Sequence, residues 1–191
     1  DAFVLVEGET GSGKTLVAHA LHAVSQKMAK ALITVHCSAY DEPTLTRRLF
    51  GPEEETDSFS PAFEEAKGGT LILEDIEKLP ISIQGKLLDK LVVLENSSEM
   101  RLITISNHSS PTFAKKILRD DLYYRLSSLK ISVPSLRKRG NDIIDLFSQY
   151  ALLFAEEYGC LPPVLTTEQK SQLMQAPWPG NIRQLINIAE Q

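Results

Sequence analysis

A glycine-rich segment near the beginning of the 191-residue chain has the residue types and spacing of a phosphate-binding loop. It satisfies the pattern GxxxxGK followed by Ser or Thr, with Gly8, Glu9, Thr10, Gly11, Ser12, Gly13, Lys14 and Thr15. Glycines let the backbone turn tightly, so its N–H groups can face phosphate oxygens at the N-terminus of a helix. Lys14 is then expected to hold the β and γ phosphates, and the Thr15 hydroxyl to ligate Mg²⁺. The pattern predicts that ATP or ADP binds here with Mg²⁺; a glycine-rich turn without chemistry is the alternative.

Two acidic residues after an apolar run supply a second part of such a site. Residues 71–73 are Leu-Ile-Leu, and Glu74 and Asp75 follow them directly. Mg²⁺ and an attacking water both need acidic partners beside the phosphates. We therefore predict that Glu74 contacts the Mg²⁺ ion and that Asp75 polarises the water. Solvated residues in a strand-to-loop turn are the alternative.

The elements that must position these residues follow from hydrophobic periodicity. Short apolar runs at residues 3–6, 32–35, 71–73 and 102–105 predict buried strands of a parallel sheet. Apolar residues at helical spacing predict helices over residues 14–29 and 82–94, with His19 and His22 at the surface of the first. Alternation of strand and helix predicts an α/β core with right-handed crossovers over residues 1–134.

The strand signals stop after Pro134, and residues 135–191 are expected to form a small, all-helical lid subdomain. Its predicted helices are residues 142–158, residues 166–174 and a third from residue 182 onward. Thr166 with Gln169, and Asn181 with Gln184, have the spacing of a capping box at a helix start.

Composition limits the classes of protein that fit. The formal charge of −5 speaks against an extended nucleic-acid surface in this chain. Cys37 and Cys160 lack the spacing of a disulfide framework or a zinc site, so both are expected to be reduced, buried thiols. No apolar run approaches the roughly 20 residues that span a bilayer. We expect a cytoplasmic protein without a membrane partner, continuing beyond both ends of this sequence.

Three further phrases resemble one family. They are Gly-Gly-Thr-Leu at residues 68–71, Asp-Leu-Tyr-Tyr-Arg-Leu at 121–126 and Trp-Pro-Gly-Asn-Ile-Arg at 178–183. With the phosphate-binding loop, they resemble the central AAA+ domain of sigma-54-dependent bacterial transcription regulators, from the first residue to the last. The resemblance implies a ring-forming homo-oligomer that acts on RNA polymerase. It also implies an N-terminal sensory domain, as in response regulators, and a C-terminal domain that binds DNA, neither of which lies in this sequence.

The resemblance gives roles to four more residues. Asn107 matches the polar sensor of the γ-phosphate, and Arg183 matches the lid arginine that contacts nucleotide in its own subunit. Arg119 and Arg125 match the arginine fingers that reach a neighbouring subunit's nucleotide. From the residues alone, Arg125 could instead pair with Asp121 four positions earlier. Likewise, Asn107 could simply begin a loop and Arg183 could be a surface residue of a helix.

The chain departs from the family at three points. The family's carboxylates are Asp then Glu, whereas here Asp75 is one methylene shorter and is expected to fall short of the roughly 3 Å reach that a base needs. His36 stands where the family has an Asn that restrains the catalytic carboxylate. The family's GAFTGA motif is absent, and residues 52–60 read Pro-Glu-Glu-Glu-Thr-Asp-Ser-Phe-Ser.

These departures favour a sigma-54-independent regulator whose AAA+ domain binds ATP and oligomerises but hydrolyses ATP weakly or not at all. A competent ATPase that remodels sigma-54 RNA polymerase holoenzyme or another partner is the alternative. A module for another nucleotide, such as cyclic di-GMP, is a third hypothesis. An unrelated nucleotide kinase is disfavoured by the lid phrase.

Overall fold

The computed structural model of the chain describes residues 3–52, 60–97, 99–108 and 117–191. The chain divides into two compact units. The first, which we call the sheet unit, comprises Asp1–Glu7 and Lys14–Ser132. The second, which we call the lid unit, comprises Gly8–Gly13 and Val133–Gln191. The first six residues of the phosphate-binding loop therefore group with the C-terminal helices.

Among the described residues, the sheet unit is built on a five-stranded parallel sheet with the order β2-β3-β4-β1-β5. Its strands are β1 (Val4–Glu7), β2 (Leu32–His36), β3 (Thr70–Glu74), β4 (Arg101–Ser106) and β5 (Leu129–Ser132). Parallel neighbours cannot be joined by a two-residue turn, so each needs a longer crossover connection. The predicted α/β class with a parallel sheet is confirmed.

The carboxyl ends of the strands share one edge of the sheet. Glu7, the last residue of β1, is in register with Ser132 of β5, and Glu74, the last residue of β3, is in register with His36 of β2. Ligands of open parallel sheets bind outside this edge. The chain leaves it for the phosphate-binding loop after Glu7 and for Asp75 after Glu74.

The sequence did not predict strand β5. It is short, it lies at the end of the sheet order, and its residues are exposed apart from a half-buried Ile131. A short exposed strand lacks the continuous apolar run that marks a buried one. Strand β5 is paired with β1 through the backbone, and side chains add to this pairing, because the Lys130 ammonium and the Ser132 hydroxyl both contact the Glu7 carboxylate at 2.9 Å.

In the part of the sheet unit that the structure describes, the α-helices with known bounds are α1 (Lys14–Ala23), α2 (Glu42–Phe50), α3 (Ala62–Glu65), α4 (Ile81–Ser97) and α5 (Asp120–Leu126). Helix α4 extends its predicted range at both ends. Helix α1 ends six residues earlier than predicted, and α2, α3 and α5 were not predicted. Helix α2 begins at an N-cap, since the Asp41 carboxylate accepts the Thr44 N–H at 3.1 Å.

The surface position predicted for His22 is wrong. The side chains of α1 that are buried are Lys14, Ala18 and His22, whereas Leu16 is 74% exposed. His22 is 7% exposed, and its Nδ1 lies 2.9 Å from the Thr70 hydroxyl at the start of β3. Ala18 and the hydrogen-bonded His22 therefore form the buried side of α1 together with Lys14. Leu16, one of the apolar residues at helical spacing, faces solvent instead.

The core of the sheet unit contains side chains from the sheet and from α2, α4 and α5. Fully buried members include Leu45, Leu49, Leu71, Leu73, Leu87, Leu91 and Leu122. Each such leucine contributes about 1.5–3 kcal/mol through removal of its apolar surface from water. Since residues 71–73 are all fully buried, the carboxyl end of β3 is held firmly where Glu74 and Asp75 emerge.

The lid unit contains the helices α6 (Asp142–Tyr158), α7 (Thr167–Gln175) and α8 (Asn181–Glu190). They enclose a separate core of Leu136, Ile143, Phe147, Ala151, Trp178 and Leu185. The three helices predicted for the lid are confirmed. Within the described ranges, no helix is both long enough and apolar enough to cross a membrane.

The two predicted capping boxes have different outcomes. Thr166 and Gln169 form a complete one, with both reciprocal hydrogen bonds present. The prediction for Asn181 is wrong, because Gly180 is the N-cap and its N–H donates to the Gln184 side chain at 3.0 Å. Asn181 has a left-handed φ of 51°, which turns its side chain toward other partners.

Candidate nucleotide-binding site

The phosphate-binding loop requires glycine at Gly11 for two reasons. Its φ of 77° lies in the region that side chains with a Cβ disfavour, and an added Cβ would lie 2.3 Å from the Gly180 carbonyl oxygen. The Ser12 N–H donates to the Glu9 carbonyl at 3.2 Å and closes the turn. The Ser12 hydroxyl oxygen is buried and has no hydrogen-bond partner. A hydroxyl without a partner is able to donate to a phosphate oxygen, which agrees with the predicted phosphate-binding role of the loop.

Lys14 and Thr15 begin helix α1 directly after the loop. The Lys14 residue is 6% exposed, whereas Thr15 is exposed. A buried ammonium needs compensation by hydrogen bonds or opposite charge. The helix N-terminus itself favours an anion. These positions agree with the phosphate and Mg²⁺ roles predicted for the two residues, which stay predictions.

Glu74 lies at the carboxyl end of β3, where its side chain is 13% exposed. Its Oε2 lies 3.4 Å from His36 Nδ1, and its Oε1 is buried with no hydrogen-bond partner. An orphaned buried carboxylate oxygen is costly unless a cation or donor joins it. The geometry therefore fits the predicted contact of Glu74 with Mg²⁺.

Asp75 and Asn107 are brought together at the ends of β3 and β4. Asp75 has a left-handed φ of 56°, and its Oδ1 accepts a hydrogen bond from Asn107 Nδ2 at 2.5 Å. Its Oδ2 accepts a second hydrogen bond, from the Ser38 hydroxyl. Both oxygens of the predicted water-polarising carboxylate are thus engaged. His36, for which the resemblance implied a place near this carboxylate, contacts Glu74.

Glu77 is a third carboxylate of this cluster, and sequence reasoning missed it. The residue is 6% exposed; its Oε1 accepts the Asn107 N–H at 3.2 Å, and its Oε2 is buried without a partner. One signal in the sequence could have found Glu77, namely its position two residues after Asp75. Ser38 was also missed, although it follows the end of β2 by two residues.

The cysteines differ from each other. Cys37 is buried, and that burial, followed by the charges of Asp75 and Glu77, raises the pKa of its thiol to about 12. The predicted buried thiol is therefore confirmed for Cys37, which stays protonated at neutral pH. For Cys160 the prediction is wrong, because this residue is exposed just after the end of α6.

The two predicted arginine fingers lie at the start and end of α5, and both form surface ion pairs. Arg119 makes a two-pronged contact with Asp121, with Nε and Nη2 donating at 3.1 and 2.7 Å. Arg125 donates to Glu95 at 3.0 Å. The alternative pairing of Arg125 with Asp121 is thus wrong, since Asp121 holds Arg119. That hydrogen bond keeps the pKa of Asp121 below its usual value and raises the pKa of Arg119.

In the lid unit, Arg183 lies in the first turn of α8 beside the loop. Its Cβ lies 3.3 Å from the position that a Cβ on Gly11 would take, while its side chain is exposed.

Glu9 of the loop is paired with an arginine of the lid unit. Arg137 donates to its two carboxylate oxygens at 2.8 and 2.5 Å. The hydrogen bonds from Arg137, and a further hydrogen bond from Asn181, lower the pKa of Glu9 from 4.5 to about 2.

Comparison with known families identifies the chain. Residues 1–132 match the sigma-54 interaction domain, and residues 137–191 match the AAA+ ATPase lid domain. The chain belongs to the sigma-54 interaction domain family of AAA+ proteins, and the resemblance drawn from its sequence phrases is confirmed.

Individual relatives are bacterial transcription regulators or nitrogen fixation proteins. The chain is 35% identical to nitrogen fixation protein AnfA of Azotobacter vinelandii, over 99% of this chain and 38% of the relative. It is 36% identical to the C4-dicarboxylate transport transcriptional regulatory protein DctD of Pseudomonas aeruginosa, over 99% of this chain and 44% of the relative. The chain spans less than half the length of either protein.

A solved structure shows the same fold. NtrX of Brucella abortus, crystallised in complex with ATP, is 31% identical and superposes with a TM-score of 0.86, covering 99% of this chain and 44% of that chain. A second NtrX structure, with ADP, superposes equally well. The parallel sheet and the helical lid are therefore those of an AAA+ domain.

Proposed function

We propose that this chain is the nucleotide-binding AAA+ domain of a bacterial transcription regulator, and that ATP binding drives its oligomerisation while hydrolysis is weak or absent. The observation that carries the last point is the double engagement of Asp75 by Asn107 and Ser38. A base that polarises water needs a lone pair aimed at that water within hydrogen-bond reach, and the two hydrogen bonds to Asp75 fix the direction of its remaining lone pairs. Here both oxygens accept from the protein.

Nucleotide binding is supported by the orphaned Ser12 hydroxyl in the loop and by the complexes of NtrX with ATP and ADP. Lys14 would neutralise phosphate charge, and Thr15 and Glu74 would hold Mg²⁺. Mg²⁺ usually takes one or two protein ligands and completes its shell with phosphates and water, so Thr15 and Glu74 would be a sufficient set of protein ligands.

The proposed binding partners follow from the family and from the points at which this sequence is expected to differ from the family's motifs. Arg119 and Arg125 are surface residues, as fingers that reach a neighbour's nucleotide in a ring must be. We propose that the full protein binds DNA through a C-terminal domain, acts on RNA polymerase in the cytoplasm, and does not depend on sigma-54. The acidic segment at residues 52–60, which we expect to stand where the family carries GAFTGA, supports the last point; most of it, residues 53–59, lies outside the described residues.

The test compares ATP binding and phosphate release in the full-length protein with those of Asp75→Glu and of the double variant Glu74→Asp, Asp75→Glu. Binding without turnover in the wild type, with turnover restored by the double variant, is the expected result. Robust wild-type turnover would overturn the proposal of weak hydrolysis. Cyclic di-GMP, titrated against bound ATP, distinguishes the third hypothesis.

A competent ATPase is the second candidate, and the contact of Asn107 with Asp75 favours it, because it brings the predicted sensor to the predicted catalytic carboxylate. In this case the hydrogen bonds to Asp75 would rearrange once nucleotide binds. Steady-state phosphate release that Arg119→Ala abolishes, without loss of ATP binding, would establish this function.

A further inference from the structure

Three carbonyl groups of the phosphate-binding loop are held by residues from the C-terminal part of the lid unit. Three consecutive loop carbonyls accept hydrogen bonds: Thr10 from Asn181 Nδ2 at 3.0 Å, Gly11 from the Ile182 N–H at 2.9 Å, and Ser12 from Arg139 Nη2 at 2.6 Å. A loop on a protein surface could leave these oxygens to water. Here each has a specific donor.

Asn181 is the most completely used of these donors. It is 0% exposed; its Oδ1 accepts the Leu136 N–H at 2.8 Å, and its Nδ2 donates both to Thr10 and to the Glu9 carboxylate at 3.2 Å. Only an amide offers an acceptor and two donors in this arrangement. Its left-handed φ of 51° is a conformation that asparagine tolerates better than most residues.

Arg139 is oriented before it reaches the loop. Its Nε donates to the Pro134 carbonyl at 3.1 Å, which leaves Nη2 directed at the Ser12 carbonyl. The planar guanidinium fixes both donors at once, so the contact with Ser12 needs little further ordering. Lysine has a single charged nitrogen and cannot make both bonds in the same geometry.

The consequence for the loop follows from the trans peptide bond. In a trans peptide the carbonyl of one residue and the N–H of the next point in opposite directions. Fixing the carbonyls of Thr10 and Ser12 therefore fixes the N–H groups of Gly11 and Gly13 on the opposite side. N–H groups on that side of such a loop are the ones that receive phosphate oxygens.

We propose that Asn181 and Arg139 are positioning residues for nucleotide phosphate: they hold the loop by its carbonyl oxygens and thereby aim its N–H groups. They set the affinity for the phosphates of a nucleotide and leave its nucleoside part untouched. This inference rests on the proposed binding of ATP or ADP. According to this inference, residues of the lid unit other than Arg183 also help to form the phosphate site.

The test uses the full-length protein and measures dissociation constants for ADP, ATP and adenosine by calorimetry. Asn181→Ala and Arg139→Ala are expected to weaken ADP and ATP binding about tenfold or more, because misaimed loop N–H groups would lose the equivalent of one hydrogen bond to a charged phosphate. Adenosine binding is expected to stay within about twofold. Arg139→Lys should recover only part of the loss.

Tyr158→Phe serves as the matched control, because it removes a lid hydrogen bond, to Glu190, that does not touch the loop. Equal losses for adenosine and ADP in Asn181→Ala and Arg139→Ala, or no loss for either ligand, would overturn the inference while leaving the proposed function intact. A folded wild type that binds neither ADP nor ATP would overturn both.

Hydrogen exchange provides a readout that requires no nucleotide. In the ligand-free protein, the N–H groups of residues 11–13 should exchange faster in Arg139→Lys than in the wild type, whereas exchange in α6 should be unchanged. This milder variant keeps the positive charge, so it addresses the inference even where an alanine variant fails to fold. Unchanged exchange at residues 11–13 would count against the positioning role.

Discussion

The loop in the lid unit and the carboxylate cluster in the sheet unit differ in which polar atoms are left without a partner. In the loop the unpartnered buried atom is the Ser12 hydroxyl oxygen, a neutral group. Carbonyls of the loop are satisfied by Asn181, Ile182 and Arg139. In the cluster, one oxygen of Glu74 and one of Glu77 are buried without a partner. Satisfied groups give rigidity, and orphaned buried groups are costly until a ligand joins them. If the proposed function holds, the loop backbone is preformed for phosphate, and Mg²⁺ would complete the carboxylate cluster.

The largest effect on stability and ADP affinity is expected from Gly11→Ala, which distorts the loop. The new Cβ would collide with the Gly180 carbonyl and would keep a φ of 77°, so the loop must move. We expect a loss of about 1–3 kcal/mol in stability and about 100-fold in ADP affinity, measured by thermal unfolding and calorimetry.

Gly159→Ala is the control for Gly11→Ala. Its φ of 67° is similar, but a Cβ there meets nothing within 4 Å. The control should lose about 1 kcal/mol from conformation alone and should bind ADP normally. Normal ADP binding by Gly11→Ala would mean that the loop is adaptable, and the contrast with the cluster would disappear.

A smaller effect is expected from Glu77→Gln, which addresses the cation-dependent cluster. Removing a buried charge with one unpartnered oxygen should raise the unfolding temperature without nucleotide by about 2–4 °C. The extra stabilisation that Mg²⁺ adds in the presence of ADP should shrink. Glu64→Gln, at an exposed carboxylate, should change neither quantity. A lower unfolding temperature for Glu77→Gln would show that this carboxylate already has the partner it needs.

The smallest effect concerns the ion pair of Glu9 with Arg137, since both side chains are more than one-third exposed. Because the folded state lowers the pKa of Glu9 from 4.5 to about 2, its contribution is complete above pH 4.5 and is lost as the pH falls toward 2. Acid unfolding curves of Arg137→Gln and wild type should therefore converge at low pH and differ slightly at pH 7. High salt should reduce that difference. A gap that is as large at pH 2 as at pH 7 would assign the effect of Arg137 to packing.

Sequence patterns predicted the elements better than the partners. Strands β1 to β4 and the lid helices were found because a buried apolar run or a helical period is visible within a few residues. Strand β5 was missed since its exposed residues carry no such run. The pairing of Asp75 with Ser38, and the burial of Glu77, depend on β2, β3 and β4 being neighbours in the sheet, which no local pattern states.

The sequence by itself determined the phosphate-loop pattern, the α/β class with a helical lid and the family, because glycine spacing and apolar periodicity are local properties. Only the tertiary structure decided what Asn181 does. Its spacing to Gln184 fitted a capping box, but its left-handed backbone and a loop some 170 residues away turned its amide to Thr10 and Glu9. Hydrogen bonds between distant segments depend on how the chain folds back on itself, and that is settled by the packing of the whole unit.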